Sequence, residues 1–429
     1  MAREMKDSGI EWIGAKPATW QVALASQVFS QVKCKNTGLV EQNLLSLSYG
    51  KIKRKSIDAT AGLLPESFDG YNIIERDDIV LRLTDLQNDH KSLRVGRTTE
   101  RGIITSAYLS IRPSKNHDSQ FLYYYLHSFD ICKGLYGMGS GVRQGLNWDD
   151  IKRLQILVPP QSEQQQIASF LDRKCAEIDS VIADTQHTIE EYKKLRQSVI
   201  TEAVTKGIRG ERPMKDSGIE WIGEIPVEWE IRKLFRAIDN LGDIDHYMPN
   251  SVDTGIPYLM TGDLKEKLSD VDFDSCKMVS LDDYQTLSSK IKANKGDIIF
   301  ARYATIGTVC FVDIEKEFLV SYSCLTIKPT ENLLLGRFLF YYLKSSAFFE
   351  EVNQYINSNT QANVGLDSMT KAKVILPKIE EQTQIADYLD KKCAEIDTLI
   401  AKKTALLEEL ESYKKSVIYE YVTGKKKVV

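Results

Sequence analysis

Residues 5–14 read MKDSGIEWIG, and residues 214–223 read the same ten letters. Pro17 and Trp20 recur as Pro226 and Trp229 at the same offset of 209. A second match sets residues 167–183 (IASFLDRKCAEIDSVIA) against 385–401 (IADYLDKKCAEIDTLIA), identical at 12 of 17 positions with an offset of 218. It continues through Ser198-Val199-Ile200 and Ser416-Val417-Ile418 to Val204-Thr205 and Val422-Thr423. The chain is therefore a tandem duplication, about 5–213 and 214–429, and each half must solve the same folding problem. The middles differ. Residues 21–157 and 230–375 align only at Asp78-Ile79-Val80 with Asp297-Ile298-Ile299, at Ile111-Arg112-Pro113 with Ile327-Lys328-Pro329, and at FLYYYLHS (121–128) with FLFYYLKS (338–345). A shared scaffold thus carries two diverged contents.

Composition narrows the class. The 429 residues are 42% hydrophobic and 27% charged, which supports a packed core and, at roughly 100–200 residues per domain, two or three domains. Seven cysteines stand at 34, 132, 175, 276, 310, 324 and 393 with no CxxC pair. That scatter argues against a disulfide framework or zinc ribbon and fits a reducing cytosol. No apolar run reaches the ~18–20 residues of a membrane span, and no signal-peptide core follows Met1, so a cytoplasmic protein with no membrane contact is expected.

The closing part of each half predicts a long helix. Ser162 with Gln165, after Pro159-Pro160, forms a capping-box pattern. Apolar residues then fall at Ile167, Leu171, Ile178, Ile182, Ile189, Tyr192, Val199 and Ala203, and Lys206-Gly207 supplies a glycine stop. The second copy gives Ile385, Leu389, Ile396, Ile400, Leu407, Leu410, Val417 and Tyr421, ending at Thr423-Gly424. Steps of this kind form a coiled-coil seam, and each helix would run about 40 residues, roughly 60 Å. A stripe that long needs a partner, and the natural partner is the other copy. A pseudo-twofold relation makes the pair antiparallel. A parallel pair would need a return of some 18 residues or more at about 3.3 Å each, which residues 207–229 could just provide.

Short β-branched runs between Gly, Asp and Pro predict α+β modules. The runs are Ile73-Ile74 and residues 78–83, 102–111, 295–302 and 308–312. The two aromatic segments, FLYYYLHS and FLFYYLKS, read as short helices whose stripe is core. Catalytic signatures are missing. There is no GxxxxGK[ST] phosphate loop, no Asn/Asp-Pro-Pro-Tyr/Phe amino-methyltransferase segment and no HExxH. Gly134, Gly137, Gly139 and Gly141 form a glycine-rich stretch without the lysine or preceding strand a phosphate loop needs. Cys175 and Cys393 hold matching helix positions and read as small core residues.

In these residues the chain resembles the specificity subunit of a type I restriction–modification system. The carriers are EWIG-x-x-P-x-x-W at 11–20 and 220–229, the Asp-Ile strand at Asp78 and Asp297, and the closing pattern P-x-x-x-E-Q-x-x-I-x-x-x-L-D. That pattern is Pro159, Glu163, Gln164, Ile167, Leu171 and Asp172 in the first half. In the second it is Pro377, Glu381, Gln382, Ile385, Leu389 and Asp390. The resemblance implies an α+β class: two pseudo-symmetric α/β target recognition domains separated by an antiparallel two-helix coiled coil. The expected boundaries are 1–160 and 208–376 for the recognition domains (the second with its linker), and 161–207 and 377–429 for the spacer helices.

It further implies that each domain reads one half of a bipartite, asymmetric double-stranded DNA target. The coil would set half-site spacing and dock two modification (methyltransferase) subunits, and two restriction (translocase/nuclease) subunits where a nuclease assembles. This chain would be non-catalytic and bind no cofactor. S-adenosylmethionine would sit on the methyltransferase, and ATP and Mg on the restriction subunit. Because B-DNA turns every ~34–36 Å, one added heptad, about 10 Å, would change the permitted gap.

DNA contacts are expected from basic, amide and hydroxyl groups on loops. In the first module these are 48–55 (Ser48, Tyr49, Lys51, Lys53, Arg54), 82–101 (Arg82, Thr84, Gln87, Asn88, Lys91, Arg94) and 140–144 (Ser140, Arg143, Gln144). In the second they are 261–265 (Thr261, Asp263, Lys265), 302–305 (Arg302, Tyr303, Thr305) and 357–363 (Asn357, Asn359, Thr360, Gln361, Asn363). Residues 1–160 hold 21 Lys/Arg against 17 Asp/Glu, whereas 224–376 hold 16 against 22, so the second reader must concentrate its cations on one face or rely on partner subunits. Trp12, Trp20, Trp221 and Trp229 recur in both halves, cannot discriminate two sequences, and are expected to pack near the helix ends; docking a modification subunit is the other reading.

Overall fold

The computed structural model describes residues 3–57, 67–138, 145–354 and 363–428. It divides into two compact units, residues 1–186 with 405–429, and residues 187–404.

In the first unit the hairpin Met5–Asp7/Ala15–Pro17 leads to strand Gln21–Leu24, which pairs antiparallel with Gln155–Val158. Those two strands close a loop of chain containing a four-stranded antiparallel sheet. Its order is Phe29–Gln31, Leu109–Pro113, Ile79–Leu81, Val95–Arg97. A separate hairpin pairs Leu45–Ser48 with Lys51–Arg54, and Asn72–Ile74 pairs with Gly102–Ile104. The expected continuous strand over 102–111 is two strands. Between them the Ala107 amide donates to Thr105 Oγ1 (3.3 Å) and the Tyr108 amide to the Thr105 carbonyl (3.2 Å), a hydroxyl-stabilised turn. Helix Ser119–Ile131, capped by Asp118, lays Phe121, Leu122, Tyr125 and Leu126 into the core, so the aromatic stripe is packing.

The second unit repeats the framework. Hairpin Met214–Asp216/Glu224–Pro226 is followed by Glu230–Lys233, paired with Lys373–Leu376. A four-stranded sheet runs Ile238–Gly242, Cys324–Pro329, Ile298–Ala301, Val309–Phe311, the same order of corresponding strands as in the first unit. Helix Gly336–Lys344 buries FLFYYL. Where the first unit has its hairpin, this unit instead carries a three-stranded sheet, Lys277–Val279, Ile256–Leu259, Leu319–Val320, whose second pair is parallel, and helix Leu281–Ser288. No repeat or turn signal in the residues marked that difference.

The repeated letters do the same work in each unit. The Asp78 carboxylate accepts from Arg112 (Nε–Oδ1 2.6 Å) and from the Glu75 amide, and Asp297 accepts from Lys328 (2.6 Å) and the Asn294 amide. Trp20 Nε1 donates to Glu163 Oε2 and Trp229 Nε1 to Glu381 Oε2, each at 2.9 Å, with the guanidinium of Arg3 or Arg212 on the same carboxylate and over the same indole. Buried Gln164 and Gln382 accept from the Asp118 and Leu335 amides and donate to the Pro159 and Pro377 carbonyls. Asp172 and Asp390 accept from the hydroxyls of Tyr124 and Tyr341, both at 2.8 Å. The closing pattern is thus a set of ties between the helix start and the sheet domain.

The long helices span Gln161–Lys206 and Ile379–Val422. Gly207 and Gly424 follow with φ of 83° and 73°, the left-handed stop expected of glycine. The expected capping box at Ser162 does not form. The helix starts two residues earlier than such a cap would set it, the Pro160 carbonyl accepts from the Glu163 and Gln164 amides, and Ser162 lies inside the first turn. In the first unit the start of one helix packs on the end of the other, with Phe170 against Tyr421 (4.4 Å) and Lys414 paired to Asp179 (2.5 Å). In the second, Arg196 pairs with Asp397 (2.9 Å), and Ile200, Ala203 and Val204 share a core with Ile385, Leu389 and Cys393. Within each unit the helices are antiparallel. Among the described residues no helix is long and apolar enough to cross a membrane.

Candidate nucleic-acid interface

In the first unit the hairpin Leu45–Ser48/Lys51–Arg54 turns through Tyr49 (φ 47°) and Gly50 (φ 74°), flanked by the pair Ser48↔Lys51. Two consecutive positive φ values in a two-residue loop define a type I′ turn. Leu45 and Leu47, with Ile52, pack on Val32, Ile74, Val80 and Ile104, which leaves Lys51 and Lys53 on the outer face. Arg54 is committed to Glu100 (Nε–Oε2 2.7 Å).

The next loop is built around one guanidinium. Arg94 is 0% exposed. Its Nη1 donates to the Arg82 and Thr84 carbonyls (3.2 and 2.8 Å), its Nη2 to the Asp85 and Asp89 carbonyls (3.1 and 2.6 Å), and its Nε to Tyr136 Oη (2.9 Å). With the carbonyls turned inward and Leu86 buried, Thr84, Gln87 and Asn88 face solvent; Asn88 Nδ2 donates to Asp85 Oδ1 (2.7 Å). Thr84, Asp85, Asn88 and Gly145 border an open recess of about 510 Å³. Half-buried Arg82 approaches Asp89 (3.5 Å), whose carboxyl is held down at about 2 by hydrogen bonds from Ser92. Lys91 is exposed. Hairpin and loop meet at Leu93, whose Cβ would lie 3.1 Å from a Cβ placed on Gly50. Ser140, Arg143 and Gln144 lie outside the described residues.

In the second unit Arg302 is also buried, at 8% exposure, with Nη1 on Asp243 Oδ2 (2.6 Å). His246 and Lys290 reach the same carboxylate at 3.3 and 3.4 Å. Tyr303 is bridged to Asn363, and Thr305 is exposed, so the segments 302–305 and 363 lie side by side. Thr261 and Asp263 are half-buried in the turn after Ile256–Leu259, where Asp263 accepts from the Met260 amide (2.8 Å), and Lys265 is exposed. Asn357, Asn359, Thr360 and Gln361 lie outside the described residues.

The structure therefore seats the Tyr49-Gly50 turn against Leu93, puts Thr84 and Asn88 at one recess, and sets Tyr303 beside Asn363. It turns Arg94 and Arg302 inward, onto carbonyls and a carboxylate of the chain itself. Sequence reading missed Asp243, His246 and Lys290 in the second unit, and Tyr136, His90 and Asp130 in the first. Tyr136 carries His90 stacked on it at 5.0 Å. None of these six repeats between the halves, so no signal pointed to them. Among the described residues no group of three or more His, Cys, Asp or Glu side chains could hold a metal ion.

Asp130 supports the Arg94 loop by accepting its amide (2.6 Å) on Oδ2, while Oδ1 is buried without a partner. Burial pushes its carboxyl up to about 6 from 3.8. A raised folded pKa means the folded state prefers the protonated acid. The penalty is absent below about pH 4, grows as pH rises toward 6, and is full above it. Asp130→Asn is expected to raise stability by about 3 kcal/mol at pH 7.5 and by little at pH 4, read from urea unfolding at both. Equal effects at the two pH values would show that ionisation of Asp130 is not the cause.

Two copies of one framework, each displaying its own polar loops, define a double recognition protein. The family model for the type I restriction modification DNA specificity domain matches residues 99–191 and 226–409, and the chain belongs to that family. The type I restriction enzyme MjaVIII specificity subunit of Methanocaldococcus jannaschii is 24% identical over 96% of this chain and 94% of its own length. The EcoBI specificity subunit of Escherichia coli is 23% identical over 62% and 57%. Among solved structures, a chain from work on complex assembly and conformational transition of the type I R-M system is similar with a TM-score of 0.70, 15% identity, and coverage of 96% and 99%. The HsdS subunit from Thermoanaerobacter tengcongensis gives 0.51, 15%, and coverage of 96% and 98%.

Proposed function

We propose that this chain is the DNA-reading specificity subunit of a type I restriction–modification complex and does no chemistry itself. The observation that carries this is the repeated framework: the same strand order, the same Asp–cation tie and the same Trp–Glu tie, under loops that share no sequence. Two readers of common design and unlike surface suit a target whose halves differ. The first, residues 1–160, and the second, 208–376, each take one half-site. The helices over 161–207 and 377–429 set the gap and dock two methyltransferase subunits, which hold S-adenosylmethionine. Restriction subunits holding ATP and Mg join where DNA is cut. No cofactor belongs to this chain, and its place is the cytoplasm.

Within the first reader the contacts come from Ser48, Tyr49, Lys51, Lys53, Thr84, Gln87, Asn88 and Lys91, with 140–144. Within the second they come from Lys265, Tyr303, Thr305 and Asn363, with 357–361. Arg94 and Arg302 shape loops instead.

Mapping of methylated adenines in cells that express this chain with its methyltransferase subunit tests the reading. One bipartite, asymmetric motif that disappears with the chain is expected; methylation independent of the chain would overturn it. Replacing both Lys51 and Lys53 by Ala is expected to weaken the complex on target and non-target DNA alike. It should also flatten the dependence of log affinity on log salt by nearly 2, since each phosphate contact contributes about 0.9. An unchanged salt slope would remove both lysines from the backbone contacts.

A further inference from the structure

We propose that the hairpin Leu45–Ser48/Lys51–Arg54 is a two-stranded ribbon that enters the major groove of the target, with Tyr49 at its tip against the base edges. This rests on the DNA-reading function proposed above and assigns the residue that leads the first reader in.

The turn itself argues against Tyr49 as a structural choice. A type I′ loop favours Asn, Asp or Gly at its first position, because a β-carbon is crowded at positive φ. Tyr49 holds φ 47° there, followed by Gly50 at 74°. Packing does not account for the residue either. Its side chain is 76% exposed, and among the described residues no hydrogen bond or ring contact to it is found. A strained, solvent-facing aromatic at the end of a well-anchored arm points to a partner outside the chain.

The anchoring is firm. Leu45, Leu47 and Ile52 sit in the apolar cluster with Val32, Ile74, Val80 and Ile104, and the turn rests closely on Leu93. The arm therefore presents its tip without having to order itself.

Charge selects the partner. Lys51 and Lys53 stand on the same outer face of the strand and have no carboxylate partner among the described residues. By contrast, nearby Arg54, Arg97, Arg101 and Arg112 are each neutralised by an Asp or Glu. An exposed ring flanked by uncompensated lysines suits a groove walled by phosphates, and the major groove, about 12 Å wide, admits a two-stranded ribbon.

The turn chemistry gives a test in which stability and binding move apart. The full chain, assembled with its methyltransferase subunits, is compared as wild type, Tyr49→Asn and Tyr49→Phe. The probes are a duplex carrying the mapped target and duplexes scrambled in one half. Asn suits the positive φ, so Tyr49→Asn is expected to unfold no earlier than wild type. It should nevertheless bind the target at least tenfold more weakly and lose most of its discrimination at one half-site only. Tyr49→Phe should retain most of both. Wild-type affinity in Tyr49→Asn would overturn the inference, as would a binding loss that tracks a lowered unfolding midpoint, or release of the methyltransferase subunits. If the unmutated complex preferred no DNA sequence, the broader functional reading would fail along with this one, and that outcome is read without any variant.

Discussion

Exchanging residues 230–375 for the matching segment of another specificity chain is expected to rewrite one half of the methylated target and leave the other half as it was. The physical reason lies where the segment begins and ends. Glu230–Lys233 and Lys373–Leu376 are antiparallel neighbours with Glu230 opposite Leu376, so the two cut points are separated by about 5 Å. A different interior can close on the same pair of strands. The ties that orient the unit lie just outside the cuts, at Trp229 and Glu381. An incoming segment must still supply groups that meet the retained helices, among them the acid at Glu266, which holds Arg196 (2.8 Å), the amide at Leu335, which holds Gln382 (2.7 Å), and the hydroxyl at Tyr341, which meets Asp390 (2.8 Å). Methylome sequencing of cells carrying the hybrid reads the result. A change in both halves, or in neither, would sink the assignment of one reader to one half-site.

The second large effect is on stability. Trp229→Ala is expected to cost about 3–5 kcal/mol, because it empties a fully buried indole site and removes the donor that meets Glu381. Glu381→Gln should cost far less, since an amide oxygen can still accept from Trp229 Nε1, although Arg212 loses one of its two ion pairs (2.6 Å) and keeps that to Glu228 (3.3 Å). Urea unfolding of the full chain compares them. Trp20→Ala probes the matching tie in the first unit, where Glu163 is the acceptor. A loss below 1 kcal/mol for Trp229→Ala would contradict its place in the core.

Much of the framework could be read in advance, because duplication prints it twice. Asp78-Ile79 and Ile111-Arg112 attracted notice only as letters repeated in the second half. In the fold they are the two ends of one ion pair, as are Asp297 and Lys328. The Glu-Gln pair of the closing pattern, Glu163-Gln164 and Glu381-Gln382, likewise proved to be two separate ties to the sheet domain. The loops were read less well, for a physical reason. Whether an arginine faces water depends on how many carbonyls the surrounding backbone turns toward it, and backbone direction in a loop leaves no periodicity in sequence. Arg94 is enclosed by four carbonyls from a stretch with no regular pattern, and Arg302 is claimed by Asp243, 59 residues earlier. The early start of the first long helix has the same origin, since the Pro160 carbonyl already accepts from the Glu163 and Gln164 amides and so begins the helix before Ser162.

The ion pairs between the helices have a historical consequence. Asp179 and Arg196 in the first repeat hold the positions that Asp397 and Lys414 hold in the second, and each acid meets the other repeat's base. One repeat by itself therefore contains both the plug and the socket of the contact, so two identical copies would satisfy each other. Such a homodimer would see the same word twice, in opposite orientation. Fusing the copies into one polypeptide preserves the handshake while releasing the sensors from having to match, which is how a palindrome reader can give rise to one that recognises two different words.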